Sequence, residues 1–191
     1  MKNASSQIIY QYWDRLRGDR ASPERSEIEP GEIRAALADT FVLETGDGKS
    51  VFRLAGTRLV AMFGHELKGM AMEDLWADPL GKSEIERLLE NVMSETACAV
   101  AGFVAETDDN ERFHLEMILL PLRHRGKTHA RILGAFSAVS PLVRTGFQPI
   151  KQLRMVSVRM IWPKSRFASL ANAAARRAGF IVHEGGSHTG L

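Results

Sequence analysis

The chain of 191 residues is long enough for one domain with extensions, and its 45% hydrophobic content can fill a core, which excludes a wholly disordered protein. The single cysteine, Cys98, excludes an intrachain disulfide and fits a reducing compartment. The first residues have no signal-peptide apolar core, and no apolar run approaches the ~18 residues of a membrane span. Composition therefore predicts a soluble, cytoplasmic protein.

The net charge of +2 hides an uneven distribution. Residues 144–191 carry a net +7, and the rest of the chain carries −5. A basic extension on a mildly acidic body can attract an anionic partner over ~8–10 Å in ordinary salt. The same extension can instead dock on its own acidic body, and charge alone leaves both alternatives open.

The N-terminal stretch predicts a helix that ends at Gly18, followed by an arginine- and glutamate-rich connector. We expect the connector arginines to hold carboxylates or carbonyls of the domain, because the guanidinium group binds two acceptors at once. The alternative is a surface loop with exposed ion pairs worth only ~0.2–1 kcal/mol each. The apolar positions of the helix are Ile8, Ile9, Tyr12, Trp13 and Leu16, and the arginines are Arg17, Arg20 and Arg25.

The middle of the chain reads as a mixture of short strands and helices. A second helix is predicted to start at Pro30, strands at residues 41–43 and 51–55, and short helices at 57–63 and just before Trp76. A long amphipathic helix is predicted at residues 83–95, and strands at 97–106, 112–122 and 131–139. This order predicts an α+β fold in which helices cover one face of an antiparallel sheet.

The C-terminal part is predicted to contain three further elements. Residues 156–162 alternate between apolar and polar side chains, which predicts a strand along a sheet edge or in a dimer contact. Residues 167–178 are alanine-rich and predict a helix, and residues 185–191 are expected to be disordered.

Two motifs resemble those of a known family. The first is the stretch 52–76, in which a strand leads into short helices around a G-x-E-L-x-G-like turn at Gly64–Gly69. The second is the leader W-x-x-L-R-G-x-R-x-x-P-x-R, which runs from Trp13 to Arg25. Together they resemble a bacterial single-domain PAS subfamily, over roughly residues 8–143.

The resemblance implies a PAS-like five-stranded antiparallel sheet with helices on one face. It implies a helical leader at residues 1–38, a PAS-like domain at 39–143 and a basic extension at 144–191. It also implies a sensory or regulatory module in signal transduction, without naming a signal.

The residues give little support for an enzyme or a metal site. His65-Glu66 lacks the second histidine of H-E-x-x-H, because Gly69 stands in its place. No nucleophile elbow or kinase signature is present in the sequence. An enzyme that uses Glu116 or His114 has no base–nucleophile spacing to support it. We therefore predict no catalytic residues and no metal ligands.

The cofactor is unknown from the sequence, and two cofactors are disfavoured. The surroundings of Cys98 lack the N-C-R-F-L-Q-like pattern of flavin-binding light sensors related to PAS domains. The long helix offers no histidine to ligate haem. On these grounds flavin and histidine-ligated haem are disfavoured, and a non-covalent organic ligand is not.

In PAS-like folds the long helix, the short helices and the sheet can enclose an apolar cavity. A packed core needs the same apolar residues, so a ligand pocket and a filled interior are both open. The residues predicted to line the pocket are Leu54, Leu59, Phe63, Leu67, Trp76, Leu88, Val92, Phe103, Leu115, Met117 and Phe136.

With no output domain evident in the sequence, a signal must pass to another molecule. We expect a homodimer and an unidentified signalling protein as partners, with a small-molecule ligand as a further option. The predicted interaction residues are Ile9, Trp13, Arg17, Arg154 and Arg159. The alternative is an anion-binding module whose basic extension contacts nucleic acid, a cyclic dinucleotide or an anionic membrane. Nucleic acid is disfavoured, since the extension has few aromatic side chains for base stacking.

Overall fold

The structure, a computed structural model, describes residues 1–46, 48–139 and 148–162. No helix in these residues has the length and apolar content to cross a membrane. The α-helices are α1 (Ala4–Arg17), α2 (Thr57–Phe63) and α3 (Pro79–Ser94), and short 3₁₀ helices lie at Arg25–Glu27, Pro30–Ile33, Leu37–Asp39 and Met72–Leu75. The strands are β1 (Thr40–Gly46), β2 (Lys49–Ala55), β3 (Cys98–Thr107), β4 (Arg112–His124), β5 (Lys127–Ala138) and β6 (Ile150–Ile161).

The six strands form one antiparallel sheet in the order β2-β1-β5-β4-β3-β6. The register places Phe41 opposite Gly134, where a larger residue does not fit because an added Cβ would lie 2.2 Å from the Phe41 ring. Strand β6 pairs along nearly all of β3, with Ala101 opposite Val158. The sheet is therefore one strand wider than the five strands predicted.

The face of the sheet that α2 and α3 cover forms the inner core. Helix α3 contributes its amphipathic stripe, which is fully buried at Ile85 and Val92. Burying a large apolar side chain contributes about 1.5–3 kcal/mol, so this layer contributes a large part of the stability of the domain. The inner core includes Phe41, Leu43, Phe52, Leu59, Phe63, Leu67, Trp76, Ile85, Leu88, Val92, Phe103, Leu115, Met117 and Phe136.

The opposite face of the sheet forms an outer core, which α1 covers. Trp13 is completely buried there, and its indole Nε1 donates a hydrogen bond of 2.8 Å to the carbonyl of Pro121 in β4. The carboxylate of Glu116 accepts from the backbone N–H groups of Lys2 and Asn3 and holds the start of the helix. The outer core includes Ile9, Tyr12, Trp13, Ile28, Ile33, Val42, Cys98, Val100, Ile118, Leu120, Leu122, Leu133 and Ala135.

The predicted α+β class with an antiparallel sheet is confirmed, and its details differ in three places. The leader helix covers a second face of the sheet, because β4 carries apolar side chains on both faces. The helices predicted at Pro30 and before Trp76 are 3₁₀ turns. A strand predicted at residues 156–162 starts earlier, at Ile150, and lies at the sheet edge. The helix predicted at 167–178 and the tail at 185–191 lie outside the described residues.

The acceptors described for Arg17 and Arg20 belong to the leader itself, which is the pattern of the alternative and not the predicted contact with the rest of the domain. Arg17 is 5% exposed, pairs with Asp14 at 2.5 Å and lies 5.6 Å from the centre of the Trp13 ring. Arg20 pairs with Glu27, and its hydrogen bond to that carboxylate lowers the pKa of Glu27. The side chain of Arg25 makes no hydrogen bond or ion pair within the described part of the chain, although its backbone carbonyl accepts from the N–H of Ile28.

We predict that Arg17→Ala lowers the free energy of unfolding by about 1.5–3 kcal/mol, because Arg17 donates charge-assisted bonds while almost fully buried. Arg15→Ala is the matched control, since its ion pair with Glu32 is exposed and contributes about 0–1 kcal/mol. Urea denaturation followed by circular dichroism measures both. Equal effects of the two substitutions would contradict a structural role for Arg17.

Candidate functional site

Ten of the eleven residues predicted to line a pocket lie together in the inner core. Leu54 is the exception, with 42% of its surface exposed. The register between β1 and β2 shifts at Val42/Leu43, so that Leu43 lies opposite Phe52 and Val42 lies opposite Leu54. This bulge adds Arg53 to β2 and reverses the side to which Leu54 points, which the period-2 pattern could not reveal.

Aromatic side chains occupy the centre of the inner core. The ring centroids of Phe63 and Phe136 are 6.0 Å apart, those of Phe103 and Phe136 5.3 Å, and those of Trp76 and Phe103 5.7 Å. These are contact distances for tilted and edge-to-face pairs. The predicted pocket residues thus touch one another across the space between α2, α3 and the sheet.

Trp76 is the one of these side chains with an unusual polar feature. Its side chain is 1% exposed, yet its indole Nε1 has no hydrogen-bond partner. A buried polar group without a partner is costly and requires an explanation such as an absent ligand or water. Gly81 in the first turn of α3 lies against this ring. A larger residue would not fit there, because its Cβ would be 2.4 Å from the Cδ1 atom of Trp76.

The five predicted interaction residues separate into two groups. Ile9 and Trp13 are completely buried against the sheet of their own chain, and Arg17 is 5% exposed. Arg154 and Arg159 are exposed on β6, opposite Val104 and Val100 of β3. The leader residues therefore hold α1 in place, and the accessible residues of the set are on the edge strand.

A groove runs between α3 and β6 on the other side of the same strand. It has a volume of about 350 Å³ and is lined by charged residues of α3 and by Met155, Val156 and Val158 of β6. Val156 and Val158 are each 46% exposed, and Trp162 just beyond the strand is 60% exposed. No described residue pairs with the free edge of β6, which is the last strand of the sheet.

The candidate chemical groups of the sequence are placed in structural roles. Glu116 accepts two backbone hydrogen bonds from the start of α1, and His65 contacts the carbonyl of its neighbour Glu66 in an exposed turn. Within the described ranges, no group of three or more His, Cys, Asp and Glu side chains is arranged to hold a metal ion.

Cys98 lies at the start of β3 in the outer core, on the opposite face of the sheet from the predicted pocket. The side chain is completely buried. Burial raises the pKa of its thiol well above the ordinary value, and the positive charge of Arg17 offsets only part of this effect. Because the thiolate is the nucleophile, Cys98 is inert in the folded protein.

An antiparallel sheet in the order 2-1-5-4-3, extended by one strand and covered by short helices and a long helix, defines the class of α+β domains that the sequence resembles. A family model described as PAS domain matches residues 1–137. The chain belongs to the PAS family, whose domains are generally sensory. No curated protein matches the chain.

Solved structures with similar folds include light-oxygen-voltage domains. One, studied with a flavin analogue, is 14% identical, covers 58% of this chain and 83% of its own, and has a TM-score of 0.44. The blue-light photoreceptor Aureochrome1 LOV domain is 15% identical, with coverage of 56% and 86% and a TM-score of 0.43. The PAS domain of an HTR-like protein from Haloarcula marismortui is 15% identical, with coverage of 60% and 94% and a TM-score of 0.39.

A further similar structure is an RNA-binding light-oxygen-voltage receptor, at 17% identity and a TM-score of 0.44. It covers 81% of this chain, and the chain spans 40% of that receptor. The family match and the order of the strands confirm the PAS-like α+β fold.

The prediction that disfavoured flavin is wrong, because the similar structures include light-oxygen-voltage domains, one of them described with a flavin analogue. The physical reason is that the missing N-C-R-F-L-Q-like pattern concerns a reactive cysteine beside the ligand. It does not bear on non-covalent binding in the inner core, and Cys98 lies on the other face of the sheet. The expectation against histidine-ligated haem stays a prediction.

We predict that Cys98 reacts very slowly with iodoacetamide at pH 8 in the folded protein. Its raised pKa keeps the thiol protonated at this pH, and unfolding returns the pKa to about 8.5. Unfolding in urea should therefore speed alkylation by about 100-fold or more, as followed by intact-protein mass spectrometry. Rapid alkylation without urea would show that β3 opens readily or that the thiol is accessible.

Proposed function

We propose that this protein is a non-enzymatic PAS-type regulatory module that signals through protein–protein contact at edge strand β6. The observation that carries the proposal is the free edge of this strand of 12 residues. Its unpaired backbone groups are a template on which an extended segment of a partner can add as a further strand. Val156, Val158 and Trp162 supply exposed apolar surface beside that edge.

The charges of β6 favour an acidic partner strand. Its charged side chains are Lys151, Arg154 and Arg159, and no acidic residue occurs in the strand. An antiparallel pairing of two copies centred between Val156 and Ser157 would place Arg154 opposite Arg159, and in every register both strands carry only positive charge. Like charges directly opposite each other destabilise a strand pair, so self-pairing at this edge is the weaker alternative to an acidic partner.

This proposal leaves the expected homodimer as a separate prediction. The apolar face of α1 is occupied by the sheet, since Ile9 and Trp13 are fully buried. A dimer therefore requires another surface of the chain.

Photo-cross-linking tests the proposal directly. We replace Val158 with benzoylphenylalanine and use Leu80 as the control site, since Leu80 is 78% exposed and lies in α3 away from the β6 edge. We expect a discrete adduct from position 158 whose cross-linked segment in the partner is extended and rich in Asp and Glu. The double substitution Arg154→Glu and Arg159→Glu should reduce the yield about tenfold or more, because each partner carboxylate then faces a like charge.

The controls distinguish an acidic partner at the β6 edge from non-specific cross-linking and from a homodimer. The melting temperature of the double variant should be unchanged, since both arginines are exposed. Adducts of equal yield from positions 158 and 80 would contradict a docking edge. An adduct with a second copy of the chain would replace the acidic partner by a homodimer.

A small ligand in the inner core is the gate that we propose for this module. The unpartnered Nε1 of the buried Trp76 supports it, since a ligand acceptor would satisfy this donor. The aromatic contacts of Phe103 and Phe136 count against a large empty cavity, so the ligand would have to displace or separate these rings.

We predict that denaturing the protein purified from its own cells releases one small molecule in near-stoichiometric amount, detected by an unbiased mass spectrum that includes flavins. Trp76→Phe removes the indole donor and should lower the occupancy about fivefold, as expected for the loss of one hydrogen bond. Trp162→Phe is the matched control, because Trp162 is 60% exposed and outside the inner core. Release of nothing would assign Trp76 to a filled core.

The alternative function is an anion-binding module, and one observation favours it. Arg154 and Arg159 are exposed and have no ion-pair partner in the described part of the chain. The basic extension from residue 163 onward lies outside the described residues. Oligonucleotide binding that weakens steeply with salt and is lost in the Arg154→Glu, Arg159→Glu variant would favour this alternative over strand pairing.

A further inference from the structure

A second pocket lies at the opposite edge of the sheet from β6. It is formed by the β1–β2 hairpin, the 3₁₀ helix Met72–Leu75 and α3, and it has a volume of about 280 Å³. An isolated bridge between Val51 and Ala71 brings β2 and the 3₁₀ helix side by side. The pocket borders the inner core at Leu89 and Met93 and lies away from β6, so its ligand can be tested separately from the function proposed above.

Two polar side chains in this pocket are almost fully buried and have no partner. Glu73 and Ser50 are each 7% exposed, and both line the pocket. Neither makes a side-chain hydrogen bond or ion pair with any residue that the structure describes. Their oxygen atoms are not among the fully buried side-chain atoms that lack a partner, so these atoms open into the pocket, where a ligand can reach them. Polar groups in such a mostly buried position are normally hydrogen-bonded or paired.

Two more carboxylates stand at the rim. Glu86 and Glu90 are exposed on one face of α3, one turn apart, and both line the pocket without an ion pair in the described residues. Like charges at this spacing repel each other, and a cation between them removes the repulsion. Leu89 and Met93 of the same helix add an apolar wall.

The arrangement favours an organic cation over a metal ion. The described residues contain no group of three or more carboxylates close enough to hold one metal ion. Separated carboxylates joined by an apolar wall instead match a molecule with two separated positive groups on an aliphatic chain. Such a ligand can donate to Glu73 and Ser50 at the floor while its second charge meets Glu86 and Glu90 at the rim.

We propose that this pocket binds a linear aliphatic diamine. One ammonium group donates to the carboxylate of Glu73 and to the hydroxyl of Ser50, and the other lies between Glu86 and Glu90. The methylene chain packs on Leu89 and Met93.

Lys49 also lines the pocket and is the competing cation within the chain. It makes no ion pair with any described residue, so its ammonium group does not satisfy Glu73 in this structure. Removing it should make the pocket more attractive to a diamine, because the ligand then meets less positive charge.

Isothermal titration with 1,4-diaminobutane tests the proposal on the full chain. We expect saturable binding with a Kd below about 1 mM, at least about fivefold weaker binding of butylamine, and no binding of 1,4-butanediol. Glu73→Gln should weaken diamine binding about tenfold or more, and Lys49→Met should strengthen it severalfold. Glu84→Gln is the matched control, since Glu84 lies on α3 but lines the groove beside β6.

Each possible result either supports the diamine proposal or overturns it. If Glu73→Gln does not fold, Glu90→Gln replaces it, because Glu90 is exposed and its loss should still weaken binding severalfold. No saturable binding, equal binding by the Glu84→Gln and Glu90→Gln variants and the wild type, or equal heats from Mg²⁺ and from the diamine would each overturn the proposal. None of these results depends on a partner at β6 or on a ligand in the inner core.

Discussion

The structure depends on the need to cover both apolar faces of one antiparallel sheet. Strand β4 presents Leu115, Met117 and Leu119 to the inner core and Ile118 and Leu120 to the outer core. A strand of this kind cannot leave either face in water without losing about 1.5–3 kcal/mol per large side chain. The leader helix α1 is thus a structural layer of the domain, and its buried indole–carbonyl bond to β4 fixes where it lies. This is why the leader cannot also offer its apolar face to a second molecule.

The opening strands and α3 could be predicted because their apolar residues follow a single period. The stripe from Ile85 to Met93 is visible in the sequence and is buried in the structure. The second covered face also has a signal in the unbroken apolar run of residues 117–122, although the alternation of Phe113, Leu115, Met117 and Leu119 by itself indicates one buried face. The reversal of Leu54 had no such signal, since a bulge at Arg53 changes which face a side chain takes without changing the composition of the strand.

The candidate sites were less predictable than the fold, because they depend on residues that are distant in the sequence. A strand near residues 156–162 follows from alternation, but that it would be the free edge of a six-stranded sheet depends on long-range pairing with β3. The pocket of Ser50 and Glu73 depends on the bridge between Val51 and Ala71. No pattern in the sequence predicts that these two residues pair. Burial without a partner is a property of the folded chain, and only the structure reveals it.

The location of Glu73 connects the surface pocket with the interior. Glu73 belongs to the 3₁₀ helix Met72–Leu75. The residue that follows this helix is Trp76, whose ring contacts Phe103 in the inner core. A diamine bound to Glu73, as proposed above, would hold this short helix against β2 and α3, and would thereby favour one position of the Trp76 ring. A ligand can shift an equilibrium only by its differential affinity for the two states, so the coupling requires that Glu73 and Trp76 move together. The short connection between them, with Trp76 donating its backbone N–H to the carbonyl of Glu73, would transmit such a movement.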